Sequence, residues 1–250
     1  MRINGSVIGS AVTSSANSAI GVWDIRNLEI ANRLFIWPNS IDIVTSGLTL
    51  NLDAGSVASY PGSGTTWYDT SGNGYNGTLT NGPTFTSLFG GNIVFDGTND
   101  YVISTVTGGL GSADFTLEFW FYKNTDAGMV FNSRGGGTGS DGIDITRELV
   151  ATTAGAVLFT AASISTSTWT HVYITRSSSI LYRYINLTLN GSISFSNNLS
   201  GTSFYIGGNA AGGNTGYLNG YMPIVRLYNR ALSSGERTQN YNALRTRYGL

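Results

Sequence analysis

The sequence predicts an all-β fold, an antiparallel sandwich or barrel, and three features carry that prediction. Between residue 46 and about residue 230 apolar side chains recur at every second position in short runs, among them GLTLNLD, NIVFDG, DFTLEFWFY and THVYITR. Turn dipeptides punctuate the runs: Asn81-Gly82 (followed by Pro83), Asp96-Gly97, Asn190-Gly191 and Asn219-Gly220. No helical periodicity intervenes, so the strands are left to pair with one another.

From the N-terminus, residues 1–20 are small and polar, a composition that orders only when something packs against it. Such an arm either folds back on its own domain or is held by neighbouring subunits. GVWDIRNLEIANRLFIWPNS (21–40) predicts a short helix. Asp24 is placed to cap it, Ile25, Leu28, Ala31 and Phe35 recur at helical spacing, and Pro38 stops it. A helix this brief persists only when docked. Residues 39–46 lead into the main domain. The chain thus divides into an N-terminal arm and short helix over 1–45, for attachment or oligomerisation, and one domain over 46–250.

Within that domain, Phe115, Leu117, Phe119 and Phe121 share one face of their strand, and Thr116, Glu118, Trp120 and Tyr122 share the other. The first face is a packed core. The second, half aromatic, suits a concave sheet or the underside of a covering loop. Asn and Gly both tolerate positive φ, so Asn190-Gly191 is expected to turn a hairpin joining YINLTL to SISFS. NSRGGGTGSDGIDIT (132–146) and GGNAAGGNTGYLNG (207–220) are expected to be loops. At the C-terminus Ser233 and Glu236 spell a capping box, which starts a helix near 234. Tyr241, Leu244 and Tyr248 lie on one face of it, and Gly249 is a natural stop.

Composition limits function. Charged residues are 11% of the 250, with a formal net charge of −1, and Lys123 is the only lysine. Such a chain offers no basic field for nucleic acid. No apolar run approaches the roughly 18 residues of a membrane helix, and there are no cysteines. The first residues lack the continuous apolar stretch of a secretory signal. A protein suited to the extracellular medium yet carrying no export signal fits a virion component assembled in a host cytoplasm and released by lysis.

The segments GLTLNLDAGSVASYPGSGTTWYDTSGNGYNGTLTNGPTF, IVFDGTNDYV, DFTLEFWFY, STWTHVYITR, YINLTLNG, FYIGG and GYLNGYMPIVRLYNRALSSGE, in this order, resemble the laminin-G-like, concanavalin A-like jelly-roll family over residues 46–250. The likeness is to the branch common among phage and bacterial surface proteins. GVWDIRNLEIANRLFIWP is similar to segments that precede such domains in tailed-phage structural proteins. The resemblance implies a two-sheet antiparallel jelly roll with a short N-terminal helix and one C-terminal helix. Domains of this family bind sugars or proteins, or form rigid lobes on particles, and fold alone does not choose between these.

Four patterns bear on chemistry. Asp69, Ser71, Asn73 and Gly74 match the first half of a calcium loop, where alternating oxygens converge on the ion. Thr80 stands where the bidentate glutamate belongs. Family members often hold one structural calcium, and the resemblance implies Asp69, Asn73 and Asp100 as its candidates here, although YMPIVRLYN lacks the aspartate that the family often carries on a late strand. The competing and favoured reading is a tight Asx/Gly corner. His171, the only histidine, lies on the predicted strand THVYIT, where a structural role is expected; no second histidine or cysteine completes a zinc site. Glycoside hydrolysis needs two carboxylates roughly 5–10 Å apart. Of the four glutamates only Glu118 lies on a suitable strand, flanked by Thr116 and Trp120, so no catalysis is expected. Tyr and Trp near loop ends are of the type that stacks on sugars, without any one of them being singled out.

The expected protein is therefore a non-catalytic virion structural protein of a tailed phage, either decorating the capsid or associated with the tail. It would present its jelly roll at the virion surface and need no cofactor. Trp23, Phe35 and Trp37 of the arm would bury against other virion proteins or further copies of the chain. The alternative is a glycan-binding adhesin module that recognises host surface carbohydrate.

Overall fold

The computed structural model describes residues 42–126, 128–133, 142–146, 151–153, 156–160, 162, 164–208 and 216–250. The helix expected over 21–40, with Trp23, Phe35 and Trp37, lies outside them. Among the described residues sixteen strands form two antiparallel sheets. The first holds β1 (Leu48–Asp53), β4 (Thr84–Thr86), β5 (Asn92–Asp96), β7 (Phe115–Lys123), β12 (Trp169–Ser177), β13 (Ile180–Ile185), β14 (Thr188–Ser194) and β16 (Asn219–Tyr228). The second holds β2 (Thr66–Trp67), β3 (Gly77–Thr80), β6 (Tyr101–Thr105), β8 (Met129–Asn132), β9 (Asp144–Thr146), β10 (Ala151–Thr153), β11 (Ala156–Phe159) and β15 (Ser203–Ile206). The chain crosses repeatedly between the sheets, as a jelly roll does.

β7 lies between β12 and β16, and its alternation is that of the sequence. Phe115, Leu117, Phe119 and Phe121 enter the core between the sheets with Leu52, Trp67, Phe95, Phe131, Phe204 and Val225. β16 pairs with β5 through Met222 and with β1 from Ile224 onward. The change of partner falls at Pro223, which has no N–H to donate, and the register against β7 shifts there too.

The Asn-Gly hairpin is not where the sequence placed it. The β13–β14 turn is Asn186-Leu187, with φ of 46° and 69°. Two successive positive φ values are what a two-residue hairpin requires, and tertiary contacts favour this position. Leu187 packs against Val44, Tyr173, Tyr228 and Leu232, and the Asn186 side-chain oxygen accepts the His171 N–H at 2.9 Å. Asn190-Gly191 instead makes a bulge in β14 where the register slips opposite Arg183 and Tyr184. Asn81-Gly82 and Asp96-Gly97 carry the chain from one sheet to the other, and Gly220 lies inside β16. A Cβ on Gly220 would stand 1.9 Å from the Tyr122 carbonyl oxygen, so the close strand approach demands glycine. One expected loop, 132–146, ends in a strand at Asp144–Thr146.

The C-terminal helix α1 (Ser234–Leu244) starts with the capping box that Ser233 and Glu236 spell. Glu236 also takes both guanidinium nitrogens of Arg230, at 2.9 and 2.6 Å, and this bond above all lowers its carboxyl from 4.5 to about 2. Gly249, with φ of 73°, ends the 3-10 turn that follows. Leu244 and Tyr248 bury against Trp120, Trp169 and Ile224, with Tyr241 beside them. The half-aromatic outer face of β7 is therefore covered by this C-terminal segment.

Candidate functional site

Beneath α1 lies a buried polar network that takes up both the histidine and the glutamate singled out in the sequence. Alternation along β7 turns Glu118 outward, opposite Tyr173 of β12 and Arg226 of β16. Glu118 and His171 are both 0% exposed. One Glu118 oxygen lies 3.0 Å from His171 Nε2 and 3.5 Å from Arg226 Nη1, and the other accepts from Asn240 Nδ2 at 2.8 Å. Arg226 extends the chain to Asn51 Oδ1 at 2.8 Å and to Asp53 at 3.4 Å, and Arg247 closes it on Asp53 at 2.9 Å.

His171 stacks on Trp120, with ring centroids 4.4 Å apart. Its Nδ1 is buried without a partner among the described residues, so the imidazole is neutral and donates Nε2–H to Glu118. Burial lowers its pKa, and the Glu118 hydrogen bond only partly opposes this. Glu118 goes down as well: burial pushes it up, but the Arg226 charge and the His171 hydrogen bond outweigh that. These groups are sealed from solvent and hold α1 to the sheet.

Asp69 organises the corner after β2. One of its oxygens accepts the N–H groups of Asn51 and Ser71 at 2.9 Å each, and the other accepts the Ser71 hydroxyl at 2.8 Å and the Tyr75 N–H at 3.0 Å. Asn73 is in the same loop, but its carboxamide donates to the Thr49 carbonyl at 3.0 Å. Asp100 belongs to another corner, where it accepts the Asp96 N–H at 3.1 Å. Burial raises its carboxyl, the Asp96 N–H opposing and the Asp96 charge reinforcing the shift. The structure thus joins Asp69 to Asn73 through Ser71 and keeps Asp100 in its own hydrogen bonds. Among the described residues no three His, Cys, Asp or Glu side chains converge.

The outer face of the second sheet has a different chemistry. Leu79, Val102, Phe204 and Ile206 point into the core, which turns their neighbours outward. Register then lays out a continuous row. Thr80 stands opposite Tyr101, Thr78 opposite Ile103, Ile103 opposite Tyr205, Tyr205 opposite Asn132, and Asn132 opposite Asp144. The Tyr101 and Tyr205 rings lie 5.8 Å apart at 53°. Asn132 Nδ2 donates to Asp144 Oδ1 at 2.6 Å.

Burial grades along this row. Thr78 is exposed, Thr80, Tyr101, Ile103 and Ser203 are half-buried, and Tyr205, Asn132 and Asp144 are buried. Tilted phenol rings beside a carboxamide, a carboxylate and threonine hydroxyls can meet both the C–H face and the hydroxyls of a polyol. None of these residues stands out in the sequence. YVIST and SFYIG show tyrosines in strands, but only strand pairing makes them neighbours.

The family model described as concanavalin A-like lectin/glucanases superfamily (Laminin_G_3) matches residues 96–236. A comparison with curated proteins finds none that matches. Among solved structures, domain 4 of an extracellular GH43 arabinanase from Geobacillus stearothermophilus, in complex with arabinotriose, aligns with TM-score 0.59 and 17% identity, over 80% of this chain and 98% of that one. A botulinum neurotoxin type C structure, whose cell entry depends on two ganglioside molecules, aligns with TM-score 0.63 and 16% identity over 80% of this chain and 52% of its own. Trypanosoma rangeli sialidase in complex with sialic acid gives TM-score 0.56 and 17% identity over 80% and 33%. This chain therefore spans nearly all of the arabinanase domain, about half of the toxin chain and about a third of the sialidase.

Proposed function

This chain belongs to the concanavalin A-like lectin/glucanase superfamily, and from that premise we propose that it is a non-catalytic carbohydrate-binding domain whose ligand lies on the outer face of the second sheet. The observation that carries the reading is the Tyr101–Tyr205 ring pair beside the Asn132–Asp144 couple. A sugar stacks on Tyr101 and bonds the hydroxyls of Thr78, Thr80 and Ser203 at the open end of the row, while the buried Asn132–Asp144 couple stiffens the floor beside it. The solved neighbours named with arabinotriose, gangliosides and sialic acid support it. Absence of catalysis is supported by Glu118, the one glutamate on a central strand among the described residues, whose two oxygens are engaged and sealed beneath α1. Glycan arrays identify the ligand class. Tyr101→Ala then weakens binding of the best glycan about tenfold, while Tyr101→Phe retains it and both variants melt like the parent. Equal affinity in the alanine variant removes the ligand from this face.

The setting of a virion surface, with capsid or tail proteins and further copies of the chain as partners, is a second reading. Its support is the sequence of the arm, small and polar over residues 1–20 and carrying the apolar Trp23, Phe35 and Trp37; a strap then leads into the domain, where Gln239 donates to the Asp42 carbonyl at 2.7 Å and Asn240 accepts the Val44 N–H at 2.8 Å. Deleting residues 1–40 spares this strap, so the truncated protein is expected to fold and stay in solution but to be missing from purified particles. Its normal incorporation would remove the attachment role from Trp23, Phe35 and Trp37.

A further inference from the structure

Helix α1 and the 3-10 turn after it lie over the outer face of the first sheet as a lid, and the seam beneath them is unevenly satisfied. Among the described residues Trp120 Nε1, Trp169 Nε1, His171 Nδ1 and Tyr248 Oη are all buried there without a hydrogen-bond partner. Each gives up water when the seam closes and gains no protein partner in return. Water returns to all four when the seam opens.

Charge under the lid balances only while His171 is neutral. Glu118 of β7 faces its Nε2 at 3.0 Å, with Arg226 of β16 behind it at 3.5 Å. Arg226 and Arg247 of the 3-10 turn both pair with Asp53 of β1. Two carboxylates thus meet two guanidiniums. The other titratable neighbours are phenols: Tyr173 of β12 and Tyr241 of α1 lie 4.5 and 5.4 Å from the imidazole, with Tyr228 behind Asn240 and Tyr248 behind Trp120. The remaining charges of α1 are engaged elsewhere or exposed. Glu236 is held by Arg230, and Arg237 lies 4.0 Å over the Tyr184 ring.

A proton added to His171 therefore leaves one buried positive charge uncompensated. It also creates an Nδ1–H with no acceptor, because the other nitrogen already serves Glu118. The ring is wedged between Trp120 and Tyr173, at 4.4 and 4.5 Å, and α1 lays Tyr241 against it and ties Asn240 to Glu118. Lifting α1 removes both contacts and admits water to the imidazole.

We infer that the C-terminal segment is an acid-released lid: protonation of His171 lifts α1 and the 3-10 turn as a unit, with both sheets still paired, and uncovers an aromatic floor of Trp120, Tyr122, Trp169 and Tyr221. In the open form His171 takes up its proton near its ordinary pKa of 6.5, and in the closed form burial holds it lower. Acid thus favours opening and neutral pH favours closure. Such local release precedes loss of the sandwich, whose strand ladders carry none of these groups' hydration.

The chain has no cysteine, so one introduced thiol reports the seam. Leu244→Cys places it in α1 against Trp120 and Trp169, and Val225→Cys places a control in the core between the sheets. Reaction with an aromatic disulfide reagent is followed from pH 7 to pH 5, each rate divided by that of the same variant unfolded in urea at the same pH. The Leu244→Cys ratio is expected to rise about 25-fold, as uptake of one proton on opening requires, while the Val225→Cys ratio stays flat. Adding His171→Gln, whose amide still donates to Glu118, should abolish the rise. His171 is the only histidine, so its single imidazole NMR resonance in the Leu244→Cys protein gives a second reading should the glutamine variant not fold. It should move to the protonated position only in step with exposure of the thiol. The inference fails if the Leu244→Cys ratio is flat, if Val225→Cys rises with it, if the rise survives His171→Gln, or if the imidazole titrates near pH 6.5 while the thiol stays protected.

Discussion

Glu118→Gln is expected to cost about 3–5 kcal/mol of stability, the range for breaking one side of a buried ion pair. Glutamine keeps one accepting oxygen, so its NH2 group faces a donor of His171 or of Asn240. It also lacks the charge facing Arg226, whose remaining anionic partner in the network is Asp53, at 3.4 Å. Urea unfolding followed by tryptophan fluorescence measures the loss. A Glu118→Gln/Arg226→Met double variant should recover part of it, because the unpaired cation is gone. A single variant as stable as the parent would show that the network is not what holds α1.

The same network sets the acid limit. A group whose pKa is depressed by folding contributes stability above its unfolded pKa and loses it as pH falls towards the folded one. His171 is depressed by burial, so the loss begins as pH drops below about 6.5, where the unfolded chain takes up the proton first. Glu118 and Glu236 add a second loss below about 4.5, and Glu236 is exhausted near pH 2. Glu118→Gln keeps the first step and shrinks the second.

Asn240→Leu is the other large effect, again about 3–5 kcal/mol. Its carboxamide donates to Glu118 Oε2 at 2.8 Å and to Tyr228 Oη at 2.9 Å, and accepts the Val44 N–H at 2.8 Å. Leucine fills a similar volume but leaves the Glu118 oxygen and the Val44 N–H unanswered, each worth about 1–3 kcal/mol, while the Tyr228 hydroxyl keeps its bond to the Val44 carbonyl. Hydrogen exchange localises the damage: the Val44 amide should lose its protection while amides of β7 and β12 keep theirs relative to one another. A Val44 amide as slow as in the parent contradicts this account.

Short-range patterns were legible in the sequence, and long-range partners were not. Alternation from Phe115 to Tyr122 separates the core face of β7 from the face under α1, and Ser233 with Glu236 marks where the helix begins. Both depend on residues a few positions apart. Asn190-Gly191 shows the limit of such reasoning. The pair reports a tolerance for positive φ, which serves a bulge as well as a hairpin, and the contacts of Leu187 and Asn186 decided between them. Asn81-Gly82 and Asp96-Gly97 likewise mark turns without saying which sheet receives the chain. His171 was visible as a lone histidine on a strand, but Glu118, Arg226 and Asn240 come to it from three other elements. The row from Thr80 to Asp144 is assembled from five strands, so neither its tyrosine pair nor its amide–carboxylate couple exists before the sheet forms.

The strap at Asp42–Thr45 has a mechanical consequence. Because it is fastened to Gln239 and Asn240, tension arriving from upstream of the domain falls first on a few hydrogen bonds at the C-terminal helix. Those bonds act as a fuse. Val44 is also tied to Tyr228 of β16, and β1 begins three residues after the strap, so a pull that parts those bonds arrives next at the β1–β16 ladder.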